Sequence, residues 1–154
     1  MNTRKKSREL VVDACVAMSA GETVHPVSSA CRVLLQHILE ICHHVVCDQN
    51  LSDEWNRHQS RFTRKWRLAM AARHKPLRVI VPDPSGLDLE KFPEDARPAV
   101  EKDLHVLETA LSSGQEIVTS DDALFRALGT SKAGERLRDR ITWHHPVRDG
   151  VENL

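Results

Sequence analysis

Short apolar runs alternate with longer amphipathic stretches along the chain. Glu9-Leu10-Val11-Val12-Asp13 has the character of a buried strand and ends in a carboxylate. His25-Pro26 marks a turn, after which Ser28 or Ser29 is placed to cap a helix. In that helix Cys31, Leu34, Leu35, Ile38 and Cys42 recur at three- and four-residue steps, one apolar stripe. Val45-Val46-Cys47 reads as a second strand. Asn50 is placed to cap the next helix, whose apolar face is Leu51, Trp55, Phe62, Trp66 and Met70. No Gly or Pro interrupts before Pro76. A single helix of about 20 residues, roughly 30 Å long, is therefore predicted. Leu77 to Val81 reads as a third strand.

The stretch from Pro82 to Pro98 holds four of the seven prolines and a Pro84-Ser85-Gly86 turn, the texture of a long loop with room for a helical turn. Helix returns from Ala99 to Ser113, with Val100, Leu104, Leu107 and Leu111 on its apolar face and Gly114 as its stop. Glu116 to Thr119 reads as a fourth strand. Asp121 to Leu128 and Lys132 to Arg138 read as short helices, and Ile141-Thr142-Trp143 as a last strand. This alternation predicts one α/β domain over residues 1–154, a three-layer α/β/α sandwich on a mainly parallel central sheet. Such sheets gather ligands at the carboxyl ends of their strands.

Composition narrows the classes. The chain has 154 residues, 22 Lys+Arg against 22 Asp+Glu, and a formal net charge of zero. That excludes a uniformly basic nucleic-acid coat and a strongly acidic chain. No stretch approaches the roughly 20 apolar residues of a membrane helix. The start is basic, Thr3-Arg4-Lys5-Lys6-Ser7-Arg8, but Asp13 breaks the following apolar run at once, so a secretory leader is not expected. Cys15, Cys31, Cys42 and Cys47 lie among apolar residues without zinc-ribbon spacing and read as reduced, buried thiols of a cytoplasmic protein. The Cys42-His43-His44-Val45-Val46-Cys47 segment lacks a matching second pair, which favours packing over metal. His144-His145 reads as surface. The three tryptophans, Trp55, Trp66 and Trp143, fall in apolar patterns and read as core.

Charge becomes informative once laid out along the chain. From Arg57 to Arg78 there are eight bases (Arg57, Arg61, Arg64, Lys65, Arg67, Arg73, Lys75, Arg78) and no acid. From Asp83 to Glu108 there are eight acids and three bases. A one-signed helix face is often only a solvated surface. Beside a site for phosphate, it supplies affinity without sequence choice. Arg57, Arg61, Arg64 and Lys65 are the candidate RNA contacts.

Four acids stand where a site would form. Asp13 ends the first strand, and Asp121 with Asp122 follows the fourth. Glu54 sits in the first turn of the long helix, and Asp103 at the edge of its helix's apolar stripe. Taken singly, each has an ordinary reading as a helix cap or a solvated acid. Gathered, they would repel one another and call for a divalent cation. An all-oxygen donor set favours Mg²⁺ or Mn²⁺ over zinc. Such ions act on phosphate, neutralising its oxygens and acidifying an attacking water.

In this order these segments resemble the PIN-domain family. Leu10-Val11-Val12-Asp13-Ala14-Cys15-Val16 looks like the family's opening strand closed by an Asp. Leu51-Ser52-Asp53-Glu54-Trp55 looks like the helix start that carries its Glu. Asp103-Leu104-His105-Val106-Leu107-Glu108-Thr109-Ala110 resembles the helix of its third acid. Thr119-Ser120-Asp121-Asp122-Ala123-Leu124-Phe125 is similar to its Thr-X-Asp segment. The resemblance runs from Glu9 to about Trp143. It implies a PIN-like fold, Mg²⁺ or Mn²⁺ held by Asp13, Glu54, Asp103 and Asp121 as catalytic residues, and cleavage of RNA phosphodiester bonds by metal-activated water. Many small members are the toxin half of VapC-like toxin–antitoxin pairs, which implies an antitoxin partner and leaves a homodimer open. The chain departs from the family in having Cys15 where a small polar residue is frequent, and in its long 82–98 loop. The Thr-X-Asp spacing favours Asp121 over Asp122. The alternative function is a PIN-like module that binds RNA or protein without cleaving. A haloacid-dehalogenase-like phosphatase fits less well, because Cys15 stands where that family has its second Asp.

Overall fold

The computed structural model describes residues 5–154. Thr3 and Arg4 of the basic start lie outside the described residues. The elements are β1 (Glu9–Val12), α1 (Ala14–Ser19), α2 (Pro26–Ile41), β2 (His44–Cys47), α3 (Gln49–His58), α4 (Arg61–Ala72), β3 (Pro76–Arg78), α5 (Arg97–Leu111), β4 (Glu116–Val118), α6 (Ala123–Leu128), α7 (Lys132–Arg140) and β5 (Thr142–His144). A 3₁₀ turn, Leu89–Lys91, interrupts the Pro-rich loop. No helix among the described residues is long and apolar enough to cross a membrane.

The five strands form one sheet in the order β3-β2-β1-β4-β5, and every pairing is parallel. Parallel neighbours need crossovers, and crossovers are right-handed. From β1 the chain steps one way to β2 and β3, so α1 to α4 cover one face. It then crosses back to β4 and on to β5, so α5 to α7 cover the other. The contacts agree: α1 packs on α3 and α2 on α4, while α5 packs on α6 and α6 on α7. The result is the expected three-layer α/β/α sandwich. A strand covered on both faces must be apolar throughout. Leu10, Val11 and Val12 of β1 are fully buried, and Ile117 and Val118 of β4 nearly so.

The expected long helix is two helices. Gln59 and Ser60 adopt extended backbone (ψ 139° and 167°) between α3 and α4. The Ser60 hydroxyl accepts the Thr63 N–H at 3.0 Å and lies against the Ala20 carbonyl. Thr63 Oγ1 donates to the Ala17 carbonyl at 2.7 Å, tying the new helix start to α1. Hydrophobic periodicity passes through such a break unseen, because the apolar face is preserved across it. Trp55 and Trp66 still meet, with ring centroids 5.8 Å apart. Their indoles donate to the carbonyls of Val12 and Leu35.

Other boundaries shift for local reasons. Ala14–Ser19 is an additional helix, too short for its period to show in the sequence. His25, not Ser28 or Ser29, caps α2: its Nδ1 accepts the Val27 N–H, with Pro26 in the first turn. Asp48, not Asn50, caps α3 by accepting the Leu51 N–H at 2.8 Å. β3 is shorter than the apolar run that predicts it. Val79 N–H still bonds the Cys47 carbonyl, but Ile80 and Val81 leave the sheet and are 85% and 81% exposed.

The four cysteines are free thiols, and only Cys31 is buried; Cys15, Cys42 and Cys47 are half-buried, which corrects their reading as core. His144 is also buried rather than on the surface, held 3.0 Å from Glu116 Oε1. His43 is fully buried with Nδ1 accepting the Arg8 N–H at 3.0 Å. Burial, helped by the Arg8 charge, pushes its imidazole down to about 4.

Ser60→Ala separates the two helical arrangements by sign. With Ser60 as a cap, urea denaturation should show a loss of about 1–2 kcal/mol. In a continuous helix the same change would be neutral or stabilising, since Ala is the best helix former.

Candidate active site

Ligand crevices in parallel sheets open where neighbouring strands send their chains to opposite faces. Here that point lies between β1, which leads into α1, and β4, which leads into α6. Asp13 stands at the carboxyl end of β1, and its N–H continues the ladder to the Val118 carbonyl at 2.9 Å. Thr119 follows β4 directly. Its hydroxyl donates to Asp13 Oδ2 at 2.9 Å and accepts the Asp121 N–H at 3.1 Å. Asp121 in turn accepts the Ala123 N–H at 2.9 Å at the start of α6. One buried threonine thus fixes both strand-end acids.

Two helices bring the other two. Glu54 projects from α3 and Asp103 from α5, which touch each other at this end of the sheet. All four expected carboxylates, Asp13, Glu54, Asp103 and Asp121, line a single cleft of about 370 Å³. Asp122 does not: it pairs with Arg148 at 2.6 Å and lines a different cavity. The Thr-X-Asp spacing and the geometry therefore single out the same residue.

The acids differ in how they are satisfied. Glu54 Oε1 lies 3.2 Å from His105 Nε2, an ion-pair distance, yet that buried ring nitrogen has no aligned hydrogen-bond partner. Asp103 is 8% exposed, and among the described residues nothing donates a hydrogen bond to its carboxylate. Burial and the nearby Asp13 push its carboxyl up to about 6; Glu54 adds to this, while Lys102 and His105 pull the other way. The Cys15 sulfur sits 3.4 Å from Thr119 Oγ1 and 3.3 Å from Ser120 Oγ. Burial and Asp13 raise its pKa, so it stays a neutral thiol beside the acids.

A divalent cation fits this donor set. The charges of Asp13 and Glu54, which add to the effect of burial at Asp103, also favour a cation there, and a lining dominated by carboxylates, with His58 and the neutral Cys15 thiol beside them, suits Mg²⁺ or Mn²⁺ better than zinc. Among the described residues no three His, Cys, Asp or Glu side chains already stand close enough to hold one ion together. The acids share a cleft, and a shared ion would require their side chains to rotate toward a common centre.

The cleft also carries positive charge. Arg57, His58 and Lys102 line it with the acids. A neighbouring cavity of about 510 Å³ shares Glu54, Arg57 and Lys102, so the two form a continuous trough. Of the expected RNA contacts only Arg57 reaches this trough. Arg61 and Lys65 are exposed on α4, and Arg64 lines a separate groove. The break at Ser60 turns α4 away from the cleft and divides the basic run. Part of that run is structural: Arg67 stacks over Trp55 at 5.4 Å and donates to Asn56 and Gln59, and Arg73 donates to the Leu39 carbonyl. Lys102 was hidden by its acidic surroundings, Glu101-Lys102-Asp103; its adjacency to Asp103 was the available signal. The long loop lies along α5, with the Asp83 N–H on Ser112 Oγ and the Ser85 N–H on Glu108.

No protein-family model, curated protein or solved structure matches the chain.

The raised Asp103 carboxyl has a measurable sign. Its folded-state value near 6 exceeds the ordinary 3.8, so the native protein takes up a proton between them and this group destabilises the fold as pH rises through that window. Asp103→Asn should therefore raise metal-free stability by roughly 1–2 kcal/mol at neutral pH, allowing for solvent screening in an open cleft. Thermal melts should show the gain vanish below about pH 4. Mn²⁺ should raise the melting temperature of the parent protein much more than that of the variant.

Proposed function

We propose that the protein is a Mg²⁺- or Mn²⁺-dependent ribonuclease, the activity that the resemblance to PIN domains implies. The observation that carries this reading is the meeting of Asp13, Glu54, Asp103 and Asp121 in one cleft at the switch point of the sheet. These four come from β1, α3, α5 and the β4–α6 turn, and they are the residues that the sequence pattern singles out.

The chain's own groups divide the work. Thr119 holds the Asp13 carboxylate in place, leaving its other oxygen free for a ligand. Asp103, buried and unbonded, is the acid most in need of a counter-charge. Glu54, Asp103, Asp13 and Asp121 would hold the cation, which when bound neutralises charge on phosphoryl oxygens and acidifies water. Arg57 and Lys102 stand between the cleft and the adjoining cavity, placed to grip phosphates on either side of the one being cleaved. These contacts set affinity without reading bases. A cognate antitoxin is the partner this reading implies.

A second reading, binding without cleavage, draws on the pairing already present: Asp13 with Thr119 and Glu54 with His105. Metal-dependent turnover separates the two. Asp13→Asn should lower cleavage of a labelled single-stranded RNA by about a hundredfold or more while the circular dichroism spectrum is kept. Chelation by EDTA should have the same effect on the parent protein. Cleavage undiminished in either case defeats the nuclease reading; salt-sensitive binding without any turnover establishes the other. Arg57→Ala and Lys102→Ala should each weaken RNA binding and flatten its logarithmic salt dependence by about one unit.

A further inference from the structure

A second surface stands apart from the carboxylate cleft. α3, α4, β2 and β3 enclose a groove of about 450 Å³ at the edge of the sheet. Its floor is apolar, made by Trp55, Trp66 and Met70, with Leu68 and Leu77 on its walls. Leu68 is 70% exposed and Leu77 37%. Large apolar side chains clustered at a groove mark an interaction surface.

The charge around it says what kind of partner fits. Arg64, Arg67 and Arg78 line the groove and no Asp or Glu does. Arg67 is bound to Asn56 and Gln59, and Arg78 to Gln49, all neutral. None of the three has a carboxylate partner among the described residues. Three uncompensated guanidiniums around an apolar floor favour an occupant that brings both apolar side chains and carboxylates. A second copy meeting this face across a two-fold axis would set both sets of guanidiniums on the same interface, which opposes that arrangement. The chain's own acidic segment around Asp88 to Asp95 is a poor occupant too. Its apolar residues Leu87, Leu89 and Phe92 already pack against the core. The edge strand is also guarded against simple strand addition, since Pro76 has no N–H to offer.

We propose that this groove is a docking site for an acidic, apolar peptide segment of a partner protein, with Arg64 and Arg78 pairing its carboxylates and the exposed Leu68 and Leu77 packing against its apolar side chains. The groove and the carboxylate cleft share no lining residue. Docking here reassigns Arg64 from RNA contact to partner contact.

A random 16-residue peptide library displayed on phage, selected on the immobilised full chain, tests this. Enriched peptides should combine Leu, Ile or Phe with Asp or Glu. Their synthetic versions should bind the Arg64→Glu/Arg78→Glu double variant at least about tenfold more weakly. Leu68→Ser, a surface change that spares the core, should weaken them as well. Circular dichroism spectra and thermal melts of these variants serve as the control that the fold persists. The proposal is overturned if no peptide is enriched, or if enriched peptides lack acids or bind the double variant equally. It is overturned also if oligouridylate, not peptide, loses affinity with the same substitutions. Sedimentation showing a dimer that Leu68→Ser dissociates would assign the face to a second copy instead.

Discussion

Parallel pairing between β1 and β4 is the contact on which the arrangement depends. Val11 stands opposite Ile117 and Val12 opposite Val118, so the two strands end level. Their chains then leave for opposite faces of the sheet, which opens a crevice between them. A shift of register by one residue would move each buried side chain of β1 to the opposite face of the sheet and separate Asp13 from Thr119. The apolar core of β1 thereby fixes a polar site at its end. Trp55 strengthens the link, because its indole bonds the Val12 carbonyl from the helix that carries Glu54.

The crevice gathers like charges, and the surrounding residues answer that repulsion unequally. Thr119 bonds Asp13, the α6 backbone bonds Asp121, and His105 stands beside Glu54. Asp103 is left with burial and two acid neighbours, so its proton is held to about 6. On the proposed reading, a cation would supply the counter-charge that Asp103 lacks. Arg57, His58 and Lys102 line the same cleft as the acids. The zero net charge of the chain thus hides charges that are segregated along the sequence.

Much of this was legible in the sequence, for reasons that differ by residue. Buried parallel strands are short apolar runs, so β1, β2 and β4 stood out, and Asp13 and Asp121, which follow β1 and β4, stood out with them. Order along the chain and element type singled out Glu54 and Asp103. What could not be read were features set by a single polar residue or by tertiary contact. Ser60 breaks an apolar periodicity that continues on both sides of it. His144 looked like surface because nothing in its neighbourhood reveals Glu116 on the adjacent strand. The run of arginines looked uniform, yet Arg67 belongs to Trp55, Arg64 to the edge groove and only Arg57 to the cleft. Lys102 was masked because linear charge counting averages over helix faces.

The central claim is that these four carboxylates form one cation site. Its most direct test is a crystal of the protein soaked in Mn²⁺ and measured at the manganese absorption edge. The account predicts an anomalous peak in the cleft, ligated by oxygens of Asp13 and Asp103 together with Glu54 or Asp121. A structure at saturating Mn²⁺ with no peak there, and with the acids still apart, would contradict it.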